Sequence, residues 1–108
     1  MGDTQGDLVK LRSVPARSRF DIMASILNEV RFSADGMRKT RLMYRCNLSF
    51  RQLKVYLKLL CDKRFLNVVK VDLEGQKVTV YRIADTGKSF LKSYDELRKS
   101  LNEERLTR

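Results

Sequence analysis

The sequence predicts an α+β domain built from three helices, a two-stranded hairpin and a long closing helix. Three observations carry that expectation. Apolar residues repeat at helical spacing through three successive segments between Ser18 and Lys63. The period then changes to near-alternation in two β-branched runs around a glycine-containing turn. Beyond Asp85 a helical spacing returns as one seam.

The first helix opens at Ser18-Arg19-Phe20-Asp21, a capping signal in which a hydroxyl and a carboxylate can satisfy orphan amides. Ile22, Met23, Ile26, Leu27 and Val30 then form one stripe to about Phe32, and Ser33-Ala34-Asp35-Gly36 ends it. The second helix is short, Lys39 to Cys46, with Leu42 and Met43 inward. Cys46-Asn47-Leu48 is a tight joint. Ser49-Phe50-Arg51-Gln52 is a second capping box and starts the third helix, which runs to about Lys63. Its inner face is Leu53, Tyr56, Leu57 and Leu60. Arg51, Val55, Lys58 and Asp62 lie opposite, with Gln52 and Lys54 on the flanks.

Leu66–Leu73 and Lys77–Ile83 read as antiparallel strands joined by Glu74-Gly75-Gln76. The last helix runs from Asp85 to about Glu104. Phe90, Tyr94, Leu97 and Leu101 step by four, three and four along it, with Leu91 beside them. Residues 1–16 hold two glycines and the sole proline and read as a flexible arm, although Leu8, Val9, Leu11 and Val14 offer local packing. The expected division is an arm over 1–16, a folded unit over 17–84 and a C-terminal helix over 85–108.

Composition narrows the function. The 108 residues carry 23 Lys and Arg against 13 Asp and Glu, a net charge of +10, which favours a polyanionic partner. The chain has no histidine, which removes histidine-dependent catalysis and histidine-ligated zinc. Its two cysteines, Cys46 and Cys61, are fifteen positions apart and are expected in or near the core, without metal. No nucleophile–base pair or phosphate-cradling glycine loop can be assembled, so an enzyme is not expected. No apolar run is long enough to span a membrane and no leader is visible at Met1–Asp7, so a cytoplasmic location is expected. No cofactor, metal, membrane or small-molecule ligand is implied.

The charge is concentrated. Arg31 to Phe65 holds ten basic residues against Asp35 and Asp62, a local net charge of +8. That block covers the second and third helices, which a few residues join as in a helix-turn-helix, and the hairpin after them is placed as a wing. A protruding helix of this kind fits the major groove of B-DNA. Arg51, Gln52, Lys54, Val55 and Lys58 are the candidates for the groove. Arg38, Lys39, Arg41 and Arg45 are candidate phosphate contacts, with Thr40 and Ser49 adding hydroxyl or amide donors. Gln76 and Lys77 could reach the backbone from the wing. Each has an ordinary alternative: a solvated helix face for the cations, capping for Ser49 and Gln52, a solubilising tip for Gln76 and Lys77. Tyr44, Tyr56 and Tyr81 could stack on unpaired bases, but Tyr56 shares the core face. Phe90, Tyr94, Leu97 and Leu101 are the candidate homodimer seam; Phe90 and Leu91 also reach the chain's own core, while Leu97 and Leu101 lie beyond it.

The residues also carry a family likeness. Arg19-Phe20-Asp21-Ile22-Met23, Arg38-Lys39-Thr40-Arg41-Leu42-Met43-Tyr44, Cys46-Asn47-Leu48-Ser49-Phe50, Tyr56-Leu57-Lys58-Leu59-Leu60, Tyr81-Arg82-Ile83, Thr86-Gly87-Lys88 and Phe90-Leu91 together resemble the archaeal winged-helix family of transcriptional regulators. That family includes small chromosomal DNA-binding proteins of thermophilic archaea. The resemblance spans about residues 17–105. It implies a winged helix-turn-helix that binds double-stranded DNA, and in some members the last helix pairs with its twin as an antiparallel coiled coil. Three positions depart from the family: Cys46 stands for Ala, Arg64 for a Gly after the third helix, and Ala84 for a capping Thr. The leading expectation is therefore a dimeric, sequence-specific or architectural DNA binder, nucleoid-associated within the cytoplasm. The alternatives are a winged-helix protein-interaction module and an RNA-binding protein.

Overall fold

The computed structural model describes residues 17–106, with side chains through Leu101. The arm expected over 1–16 lies outside the described residues. Six elements follow in order: α1 (Arg19–Arg31), α2 (Lys39–Cys46), α3 (Phe50–Asp62), β1 (Leu66–Leu73), β2 (Gln76–Ile83) and α4 (Asp85–Leu106). The helices and the two-stranded antiparallel hairpin form the winged helix-turn-helix that the sequence predicts.

α1 begins with the expected capping box. The Ser18 hydroxyl accepts from the Asp21 amide at 3.0 Å, and the Asp21 carboxylate accepts from the Ser18 amide at 3.1 Å. Its whole apolar stripe is buried, and Ala24 is buried with it. The reason is position: α1 lies against α2, α3, α4 and β2, so more than one face is covered.

α2 turns Leu42 and Cys46 inward and half-buries Met43. It stops at Asn47, which is left-handed at φ 54°. Asparagine adopts that conformation at small cost. The Leu48 amide then donates to the Met43 carbonyl at 3.1 Å, which drops Leu48 into the core and hands the chain to Ser49. α3 starts on the second capping box: Ser49 Oγ accepts from the Gln52 amide at 3.1 Å, and Gln52 Oε1 accepts from the Ser49 amide at 3.0 Å. Leu53, Leu57 and Leu60 are buried and Tyr56 packs against them, so its ring belongs to the core side.

α3 ends in a Schellman motif. Arg64 is left-handed at φ 64°, Phe65 N–H donates to Leu60 C=O at 2.9 Å, and Arg64 N–H donates to Cys61 C=O at 3.0 Å. The family's glycine position is therefore a true left-handed site, held here by a residue with a Cβ.

The hairpin pairs Leu66 with Ile83 through to Leu73 with Gln76. The turn differs from the expected Glu74-Gly75-Gln76: Gln76 belongs to β2, and the loop is Glu74-Gly75 alone. Both loop residues have positive φ, 52° and 83°. That is the two-residue turn whose twist matches the strands, and it adds one more paired rung. Met37, ahead of α2, makes an antiparallel bridge with Tyr81, both amides donating at 2.9 Å. It ties the base of the wing to the first half of the domain.

α4 closes the fold. The Ala84 amide donates to Phe65 C=O at 2.9 Å, and Gly87 sits so close that a Cβ there would lie 2.4 Å from the same oxygen. Leu91 is fully buried. The Phe90 ring lies 5.2 Å from Phe65, 6.2 Å from Tyr94 and 6.5 Å from Phe20. The helix continues to Leu106, past the expected end near Glu104.

Candidate nucleic-acid interface

The helix period sets the surface of α3. Arg51, Val55, Lys58 and Asp62 are exposed on the side away from Leu53, Leu57 and Leu60. Val55 is 61% exposed, an aliphatic side chain presented to solvent among cations. Lys54 is exposed one step round the helix, toward the wing. Lys58 Nζ lies 3.0 Å from Asp62 Oδ2, one helical turn on. Both partners are largely in solvent, so the pair contributes little, about 0.3–0.5 kcal/mol, and leaves Lys58 free to exchange partners. Ser49 and Gln52 are exposed, and Ser49 Oγ and Gln52 Oε1 are both engaged as acceptors in the capping box. For these two, the capping alternative describes the geometry.

On α2, Arg38, Thr40, Arg41 and Arg45 are exposed. Arg45 is turned toward α1, its Nε 2.9 Å from Glu29 Oε1. Arg38 and Arg41 are in neither of the salt bridges found among the described residues. Unlike α1 and α3, α2 has no side chain capping its first amides, and it has no acid in its first turn, where α1 has Asp21. Its N-terminal end thus keeps its partial positive charge and its free donors. Lys39 Nζ lies 5.4 Å from the centre of the Phe50 ring, which places the ammonium between α2 and α3.

The wing is uneven along its length. Gln76 and Lys77 are exposed at its tip, but Lys77 stands directly across from Asp72, and Glu74 occupies the turn. Two acids therefore surround the one cation there. The base of the wing differs. Val68 and Tyr81 are cross-strand partners on the face toward α3. With Leu57 and Cys61 they line a shallow basin of about 260 Å³, with Lys39, Lys54, Lys58 and Asp62 completing its wall. Burial pushes the Tyr81 hydroxyl and the Cys61 thiol up from their ordinary values, and Asp62 adds to the effect at Cys61. Both stay protonated and neutral near neutral pH. Sequence reasoning missed this basin because four elements, α2, α3 and both strands, compose it. The one local signal was Val68, apolar on a strand face that also carries Lys70 and Asp72.

Of the proposed dimer seam, Phe90 and Tyr94 are drawn into their own chain, Phe90 among three aromatic rings and Tyr94 by a hydrogen bond to Asp21. Leu97 and Leu101 are 61% and 54% exposed. Cys46 is buried and Cys61 half-buried. Among the described residues, no group of three Cys, Asp or Glu side chains is placed to hold a metal ion, and no helix is long and apolar enough to cross a membrane.

Solved structures share this arrangement. The chain superposes on Sso10a-2, a DNA-binding protein from Sulfolobus solfataricus, with a TM-score of 0.61 and 20% identity, covering 84% of this chain and 92% of that one. TA0346 from Thermoplasma acidophilum matches at TM-score 0.58 and 24% identity, covering 81% and 91%. MepR from Staphylococcus aureus, in a complex with DNA, matches at TM-score 0.64 and 9% identity, covering 98% and 83%. At these identities the likeness is one of fold. No curated protein matches the chain. The family model for the winged helix-turn-helix spans residues 16–102, from the cap of α1 into α4. The chain has the short joint between α2 and α3, the hairpin directly after α3 and the helix closing over both, and by that match over most of its length it belongs to the winged helix-turn-helix family.

Proposed function

We propose that the protein binds double-stranded DNA as a dimeric regulator or chromosome-coating factor. The observation that carries this reading is the outward face of α3. Arg51, Lys54, Val55 and Lys58 project into solvent from a helix whose opposite side is locked in the core. A helix so presented matches the width of the major groove, where Arg can address guanine and Val a thymine methyl. Arg38 and Arg41, with the uncapped end of α2 and Thr40, then lie over the flanking phosphates. Arg45 contributes there by leaving Glu29. The near-neutral tip at Gln76 and Lys77 adds a lesser contact. Sso10a-2 is described as DNA-binding and MepR has been solved on DNA, which supports the same use of the shared fold here. The exposed Leu97 and Leu101 support pairing of two chains through α4.

The test is binding to random-sequence duplex at a series of salt concentrations. Several phosphate contacts give a steep linear fall of log affinity with log salt. Selection from a random duplex pool then separates a regulator, which enriches a motif, from a coating factor, which does not. Absence of duplex binding at low salt, or preference for RNA in competition, overturns the reading.

A further inference from the structure

The cations of α3 do not all face the same way. Arg51 and Val55 point straight out from the core, whereas Lys54 and Lys58 border the basin at the base of the wing, where Lys39 of α2 meets them. Three ammonium groups around one hollow, against the single carboxylate of Asp62, leave it cationic. Its inner surface is apolar: Leu57, Val68 and the Tyr81 ring. Apart from the Tyr81 hydroxyl and the Cys61 thiol, that floor offers no donor or acceptor to match the pattern on a base edge. A sugar–phosphate unit matches it on both counts, with the anionic phosphate on the ammonium rim and the deoxyribose carbons on Val68 and Tyr81.

We infer that this basin seats the duplex backbone where it crosses between α3 and the wing, and that Lys39, Lys54 and Lys58 are backbone clamps, so base reading falls to Arg51 and Val55. The inference rests on the DNA-binding reading above and divides its labour. It also moves the wing's contact from its near-neutral tip to its base. The uncapped first turn of α2, whose first residue Lys39 borders the basin, adds amide donors on the same side.

Two measurements on the full chain test it. The first compares Lys39→Gln, Lys54→Gln and Lys58→Gln, singly and together, with Arg51→Ala and Val55→Ala. The lysine variants are expected to weaken binding by the same factor on every duplex. The triple variant is expected to flatten the salt dependence by about 0.9 in slope for each phosphate that is no longer neutralised. The Arg51 and Val55 variants are expected to change which sequences are enriched, or, in a coating factor, to leave the salt slope nearly as it was. A lysine variant that alters sequence preference, or a triple variant with unchanged affinity and slope, overturns the inference.

The second uses Cys61, which lines the basin and is half-buried, whereas Cys46 is 2% exposed. Saturating duplex is expected to protect Cys61 from N-ethylmaleimide at alkaline pH. Unchanged labelling of a chain shown to be DNA-bound overturns the basin as the seat and leaves DNA binding standing. A wild-type chain that binds no duplex overturns both.

Discussion

The Tyr94 hydroxyl of α4 donates to the Asp21 carboxylate at the start of α1. The two residues are 73 positions apart, and Asp21 is already half of the capping box with Ser18. One carboxylate therefore closes the first turn of α1 and anchors the last helix. Arg98 lies over the Tyr94 ring at 5.7 Å and adds its charge to the cluster. The hydrogen bond from Tyr94, then those from Ser18, hold the Asp21 carboxyl below its ordinary value against a smaller opposing effect of burial. Removing the hydroxyl by Tyr94→Phe is expected to cost about 1 kcal/mol in urea denaturation, less than a fully buried bond to a charged group because the site is partly solvated.

The same pair sets a pH dependence. A carboxyl held below its unfolded value of 3.8 contributes stability that is present above that value and is lost as pH falls through the folded one. Tyr94 is shifted the other way: burial first, then donation to Asp21, raises its hydroxyl from 10.0, so its share is complete below pH 10 and is lost as pH rises through the folded value. The difference in melting temperature between wild type and Tyr94→Phe is expected to be flat from about pH 5 to 9 and to shrink toward both extremes. A difference that grows on acidification contradicts the assignment.

Gly87 is required by its close approach to backbone. Its Cα lies where a Cβ would come within 2.4 Å of the Phe65 carbonyl oxygen, which is itself held by the Ala84 amide. The nearest atom is backbone, which cannot swing aside, and the Ile83 side chain crowds the same point at 3.0 Å. Gly87→Ala is expected to destabilise by about 1–3 kcal/mol, as overpacking does, despite the higher helix propensity of alanine. Denaturant midpoints measure this, and a stabilised variant would show that α4 can shift freely.

Arg64 offers the reverse case. Its φ of 64° places a Cβ in the left-handed region, at a cost on the order of 1 kcal/mol. Arg64→Gly is expected to recover about that amount, less the small benefit of a cation at the C-terminal end of α3. Arg64→Lys, which keeps the charge and the Cβ, is expected to recover nothing. Urea midpoints of the two variants thus separate backbone strain from electrostatics.

Much of the fold is legible in the sequence because the deciding signals are local. Ser18 with Asp21, and Ser49 with Gln52, are three residues apart and fix the starts of α1 and α3. The stripe from Ile22 to Val30 and the face from Leu53 to Leu60 follow from period alone. What escapes is long-range. Met37 reads as an ordinary methionine between Gly36 and Arg38, and only the bridge to Tyr81 makes it core. Arg45 sits on a basic helix face, and nothing within its own helix points to Glu29, sixteen residues earlier. The basin needs α2, α3 and both strands at once. The turn differs by one residue because Gln76 is compatible with either loop or strand, and pairing with Leu73 decides it.

Leu97 and Leu101 carry the oligomer prediction. The seam expected from the sequence begins at Phe90, but Phe90 and Tyr94 are engaged by Phe20, Phe65 and Asp21 of the same chain. A second copy that pairs through α4 would therefore meet it farther along, at leucines that are more than half exposed. They lie four residues apart, one turn of the same face, as a helix–helix contact requires. Leu97→Lys with Leu101→Lys is expected to convert a dimer to a monomer in sedimentation velocity while leaving the melting of the Asp21–Tyr94 staple and the winged core in place. The DNA readout follows from geometry. Two recognition helices on one dimer bind paired half-sites about 34–36 Å apart or a multiple of that spacing, so the double variant should lose the second half-site and keep single-site affinity. A wild-type chain that sediments as a monomer at high micromolar concentration removes the dimer, and the exposed leucines then need another occupant.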